Sequence, residues 1–441
     1  MEKTPPDCDT LIFASRLMTQ NEERAVLENA ALCVRQGVIQ GLGPREDFAS
    51  VRAAQTLDLG EALLLPGLIN AHTHSAMTFL RGLADDLPLM IWLRRHVFPL
   101  EKKLSEEIIF LGCLLGCAEM TRSGTTAFAD MYLLENAVMR AVEQCGLRVL
   151  AGEGIFAFPS PAYSEPEAAL NLVRAQAARW QGHSRIRVGV MPHSVYTTTP
   201  ALLGACRDLA GELHLPLHIH LAETPEETAD CLAATGRRPV PYCHALGLLG
   251  KGSTIAHGVD LTDEDMDLLA QTGTRVVHNP RSNMKLASGV APIPDLLARG
   301  VVVGLGTDGA ASNNSLNLFA EMSACALLHK VSRRDPTVMP ARTVLDRATL
   351  GSAAALDWTG LGVLAPGRPA DLIALDLSSP NLQPVYNPAS QLVYAASGLE
   401  VVFSMVEGRV LYHNGRFSGL DYPLLLREME KVKAWVLQAY N

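Results

Sequence analysis

Between about residue 64 and residue 360 the chain alternates short apolar runs with longer amphipathic segments, whereas both flanks carry only short extended runs separated by turns. Eight of the central runs predict β-strands: residues 63–70, 125–129, 147–151, 186–191, 217–221, 254–257, 274–278 and 301–305. The intervening segments, among them 107–122, 135–145, 165–180, 200–214, 263–272 and 318–332, predict helices. Apolar strands alternating with helices mark a parallel sheet covered on its faces. Eight such units predict a (β/α)8 TIM-like barrel over residues 64–364.

The flanks follow another pattern. Residues 9–13, 31–35 and 38–42 near the start, and 370–376, 401–406 and 409–412 near the end, read as strands. Neither group has enough strands to bury a core alone. Together they predict one small β-sandwich domain built from both chain termini, residues 1–63 and 365–441.

Composition narrows the function. A hydrophobic content of 48% with 19% charged residues implies a large buried core and no disordered tract. The net charge of −9 gives no electrostatic reason to bind nucleic acid or an anionic membrane. Residues 1–6 lack the basic and apolar regions of a secretory leader, and no apolar run reaches the ~18 residues of a membrane span. Nine cysteines without a Cys-x-x-Cys pair read as reduced core residues. The expected setting is cytoplasmic, as a homo-oligomer acting on a small molecule.

Candidate chemistry gathers where the apolar runs stop. The first predicted strand leads into His72 and His74, the fourth into His193, the fifth through His220 to Glu223, the sixth into His257 and the eighth into Asp308. In a barrel these strand ends form the active-site face. Residues two apart on a strand point to one side, so His72 and His74 project together. Three imidazoles and a carboxylate, from His72, His74, His220 and Asp308, suit one divalent zinc or iron ion with a position left for water. No lysine stands on a neighbouring strand to bridge a second ion. His257 could hold the water and relay its proton, and Glu223 could shuttle that proton to the substrate. His218 reads as a supporting histidine, and Trp92 lies beyond a 81–90 loop that could close over a substrate.

These residues carry a family likeness. The segment Pro66-Gly67-Leu68-Ile69-Asn70-Ala71-His72-Thr73-His74, His220-Leu221-Ala222-Glu223, Ala256-His257-Gly258 and Gly306-Thr307-Asp308-Gly309 together resemble the amidohydrolase superfamily. Residues 75–86, 278–289 and 307–314 are similar to its deaminases of 5′-methylthioadenosine and S-adenosylhomocysteine. The resemblance implies a metal on His72, His74, His220 and Asp308, with Glu223, His257 and Asp308 catalytic. It implies Glu101 as acceptor for ribose hydroxyls, His193 as a substrate contact and Arg185 as partner of a homocysteine carboxylate. A second arginine expected for that carboxylate has no counterpart in register; Arg174 stands nearest. Guanine and other heterocycle deaminases and chlorotriazine hydrolases use the same metal ligands, and Glu101 and Arg185 are the residues that favour a nucleoside. A non-catalytic relative would have lost ligands that are all present here.

Overall fold

The computed structural model describes residues 7–440; residues 1–6, read above for a leader, lie outside them. Its centre is a ring of eight parallel strands: β1 (Leu68–His74), β2 (Thr125–Tyr132), β3 (Arg148–Ile155), β4 (Ile186–Val188, continued by Met191–Pro192), β5 (Leu217–Leu221), β6 (Ser253–His257), β7 (Arg275–His278) and β8 (Val303–Leu305, continued by Asp308–Gly309). Neighbours pair in order from β1 to β4. Single bridges from Val190 to Leu217 and from Ser194 to His220 link β4 to β5, and pairing continues to β8. Asp308 opposite Thr73 and Gly309 opposite His74 close the ring. Closure sets residues more than two hundred positions apart side by side.

The strand residues are mostly apolar on both faces because side chains fill the barrel inside and helices cover it outside. Every residue of β2, β3, β5 and β6 is buried. Room inside is tight. A Cβ on Gly306 would meet Asn279 Oδ1 at 2.5 Å and the His72 backbone nitrogen at 2.9 Å, so glycine lets β8 approach β1.

Strands from both ends of the chain share one nine-stranded sheet. Leu372–Asp376 runs antiparallel to Ala62–Pro66, which in turn pairs with Cys8–Met18, and this joins the two termini. Ile12, Leu32, Leu64, Leu372, Phe403 and Met405 pack in a common core.

Two departures from the sequence reading have clear causes. The apolar run 63–70 is two strands, because the chain leaves the terminal sheet at Pro66 and enters the barrel at Leu68. Gly67 makes the switch: a Cβ there would lie 2.0 Å from Thr126 Oγ1. The C-terminal flank also ends in a 19-residue helix, Tyr422–Tyr440, rather than in β-structure. Its Leu425, Val432 and Val436 join the barrel-side cluster of Leu104, Ile108 and Leu114.

All nine cysteines are buried and unpaired. Among the described residues no helix is long and apolar enough to cross a membrane.

Candidate active site

The C-terminal mouth of the barrel holds a cavity of about 640 Å³. At its floor His72 and His74 come from β1, His220 from β5 and Asp308 from the end of β8, with one donor atom of each within 4.8 Å of the others. Asp308 Oδ1 lies 3.0 Å from His74 Nε2 and 3.5 Å from His72 Nε2, and the Nε2 atoms of His74 and His220 are 3.3 Å apart. Donors about 2.0–2.1 Å from a shared tetrahedral centre have such spacings.

The rear of each group fixes what its front presents. His220 Nδ1 donates to the His193 carbonyl at 2.8 Å, and His74 Nδ1 donates to the Met131 carbonyl. A carbonyl acceptor puts the proton on Nδ1, so Nε2 offers its lone pair to the centre. His72 Nδ1 lies 3.0 Å from His218 Nε2, so His218 backs the site as the sequence implies. His72 Nε2 is buried without a hydrogen-bond partner. Asp308 Oδ2 accepts from Ser282 Oγ at 2.6 Å and Ser312 Oγ at 2.7 Å, which leaves Oδ1 facing the imidazoles. A buried nitrogen with no partner, aimed at three other donors, fits a divalent cation.

The backbone is bent to achieve this. Ala222 (φ 53°), His257 (φ 75°) and Asp308 (φ 63°) all adopt left-handed conformations at strand ends. Non-glycine residues held there cost about 1–3 kcal/mol each and cluster at functional sites.

Glu223 and His257 stand beside the donors, with Glu223 Oε1 3.9 Å from His257 Nε2. His257 Nδ1 lies 2.9 Å from Asn283 Oδ1, which orients the ring. The Glu227 carboxylate accepts from the backbone nitrogens of Ala222 at 3.0 Å and Glu223 at 2.8 Å, pinning the turn that carries Glu223. Burial raises the Glu223 pKa, the negative charge of Asp308 adds to that, and His257 opposes it. Burial, with the neighbouring imidazoles, lowers His193 to about 3, so its ring is neutral.

Other predicted residues separate into two groups. Glu101, His193 and Trp92 all line the cavity. Glu101 is buried, and that burial lifts its pKa to about 7 against the pull of the Tyr132 hydroxyl and His74. Arg185 does not reach the cavity, which corrects the expectation drawn from the resemblance. It precedes β4, at the opposite end of the barrel, where Nη1 donates to the Leu147 carbonyl at 3.3 Å and Nε faces Glu407 at 3.8 Å. Arg174 lies on an outer helix, paired with Glu212. Tyr132, Phe156 and Tyr196 line the cavity without having been singled out by sequence. Tyr132 ends β2 as His74 ends β1, so a strand read to its true end would have found it.

The chain is similar to known proteins along most of its length. Residues 63–411 match the model of the amidohydrolase family. The chain belongs to that family. A 5-methylthioadenosine/S-adenosylhomocysteine deaminase of Nitratidesulfovibrio vulgaris (strain Miyazaki F) is 62% identical over 431 residues, covering 98% of each chain. A 5′-deoxyadenosine deaminase of Methanothermobacter thermautotrophicus is 42% identical over 407 residues, 90% of this chain and 95% of its own. Among solved structures of the family, an adenosine deaminase from Xanthomonas campestris with bound zinc superposes with a TM-score of 0.95 at 36% identity. That match covers 98% of this chain and 100% of that one.

Proposed function

We propose that this chain is a metal-dependent hydrolase that deaminates adenine nucleosides, with 5′-methylthioadenosine, S-adenosylhomocysteine or both as substrates. The observation that carries the reading is the buried convergence of His72, His74, His220 and Asp308 with Glu223 and His257 at one cavity wall. A divalent ion on those four residues, zinc by analogy with the solved relative, would supply water whose pKa is lowered from about 15.7 toward 7. His257 Nε2 and Asp308 take the proton as water adds to C6 of the purine. Glu223, its pKa raised by burial, would donate to N1 and neutralise the charge that develops on the ring. A proton then passes to the exocyclic amine, ammonia leaves, and the 6-oxopurine nucleoside is the product. Glu101 would accept from the ribose hydroxyls, with His193 and Trp92 bordering the base. Residues 64–364 would form the catalytic barrel, and the strands within 7–63 and 365–417 a composite β-sandwich domain, with the Tyr422–Tyr440 helix on the barrel side.

Ammonia release from methylthioadenosine, adenosylhomocysteine, adenosine and guanine, with metal analysis of the same sample, tests the reading. No release from any adenine nucleoside by the metal-loaded protein would overturn it. Glu223→Gln should retain metal while kcat falls about 10²- to 10⁴-fold, the range of a general acid or base.

A further inference from the structure

With C6 of the purine at the metal donors and the ribose on Glu101, as proposed above, the 5′ end of the substrate would point toward the cavity mouth. A row of rings leads inward from the surface. Phe158 is 37% exposed, and its ring lies 6.0 Å from Phe98 and 5.0 Å from Phe156. Phe156 stacks on His193 at 4.7 Å, and His193 lies 4.8 Å from the metal-ligand candidate His220. Leu89, Trp92, Leu93 and Val97 complete the apolar lining.

Among the described residues lining the cavity none is lysine or arginine. The cations on neighbouring positions are paired elsewhere or exposed. Lys285, next to the lining residue Leu286, binds Asp85 at 2.6 Å and the Ala311 carbonyl at 3.0 Å. Arg81 pairs with Glu119. Arg94 and Arg95, between the lining residues Leu93 and Val97, are exposed. The one carboxyl group outside the catalytic cluster, Glu101, offers a carboxylate no positive charge.

We infer that Phe98, Phe156 and Phe158 form a specificity wall that selects adenine nucleosides with an uncharged, apolar 5′ substituent and disfavours those ending in an amino-acid group. A methylthio group packs on ring faces and edges, where sulfur–aromatic contact is favourable. A carboxylate moved to the same wall loses water and meets no donor. The inference rests on the deaminase reading above and ranks its substrates.

The experiment compares kcat/KM of the zinc-loaded protein for methylthioadenosine, 5′-deoxyadenosine, 5′-butylthioadenosine and adenosylhomocysteine. The three uncharged nucleosides should exceed adenosylhomocysteine at least about tenfold, a modest discrimination for mismatched pocket chemistry. Butylthioadenosine separates charge from length, so its rejection alongside adenosylhomocysteine would overturn the inference. Equal turnover of adenosylhomocysteine and methylthioadenosine would also overturn it. Phe158→Arg, at an exposed position that tolerates charge, should raise kcat/KM for adenosylhomocysteine about two- to fivefold, the worth of one partly exposed ion pair. An unchanged value removes Phe158 from the wall. Absence of activity on all four nucleosides instead rejects the deaminase reading itself.

Discussion

The two ends of the barrel are both rich in ionisable groups, yet they are built on opposite rules. At the base, Arg148 grips Asp371 through two bonds, Nε to Oδ2 at 2.5 Å and Nη2 to Oδ1 at 3.0 Å, with both side chains buried. Asp371 Oδ1 also accepts from the Glu407 backbone nitrogen at 2.8 Å. Arg148 and Asp371 complement each other there, and the pair ties β3 to the terminal sheet. At the mouth the rear atoms of His74, His220 and Asp308 are satisfied, while the front atoms converge and His72 Nε2 has no partner. Closed pairing marks structure; convergence of lone pairs on one point marks a place for something the chain does not itself supply.

The largest effect that could break this contrast comes from Asp308→Asn. Removing the anionic donor should empty the metal centre, measured as metal per chain, and take activity down further than the about 10²- to 10⁴-fold expected for a proton-transfer group. The fold should survive, since the terminal sheet and the base are untouched. A fully active variant with normal metal content would remove Asp308 from the ligand set.

Arg148→Met at the base should do the reverse. It strands Asp371 as a buried, unpaired charge, and breaking such a pair costs about 3–5 kcal/mol of stability. Chemical denaturation should show that loss, while kcat per folded molecule stays near the parent value. A large fall in kcat with unchanged stability would mean that the base takes part in chemistry.

The same contrast explains what could be read from sequence. The strands were legible because apolar runs stop at polar residues, and the stopping points are where β1, β5, β6 and β8 deliver His72, His74, His220, His257 and Asp308. Arg185 was placed at the mouth by the resemblance alone, although it precedes the predicted run 186–191 and so flanks the start of the strand. The split at Gly67 was hidden in one unbroken apolar run, because what demands glycine there is the Thr126 side chain on the neighbouring strand β2. The terminal helix did leave a trace. Leu425, Val432 and Val436 recur at helical spacing, but the strands before them suggested that the β-pattern continued.

Glu153 sharpens the contrast, because it lies toward the mouth end of β3 and is nevertheless paired. Its two oxygens accept from the backbone nitrogens of Leu134 and Glu135, each at 2.9 Å, at the start of the Glu135–Cys145 helix. Burial raises its pKa to about 7, against the pull of those bonds. Between the usual glutamate value of 4.5 and about 7 the folded chain therefore holds a proton that the unfolded chain has released. Stability must fall as pH rises through that window, by at most about 1.4 kcal/mol per pH unit from this group. Glu153→Gln should flatten that part of the stability profile and leave substrate KM unchanged. A shift in KM would make Glu153 part of the site.

The smallest effect tests the residue that the family resemblance assigned to the wrong end. Arg185→Ala removes a guanidinium that is half-buried beside Leu147 and faces Glu407 at 3.8 Å, with no group in the cavity. Burial lowers its pKa, so its surroundings disfavour the charge. A loose pair of this kind contributes about 0–1 kcal/mol. KM for adenosylhomocysteine and for methylthioadenosine should therefore change by the same small factor, if at all. A selective rise in KM for adenosylhomocysteine would require Arg185 to act across the length of the barrel, and the division between a paired base and an open mouth would fail at that residue.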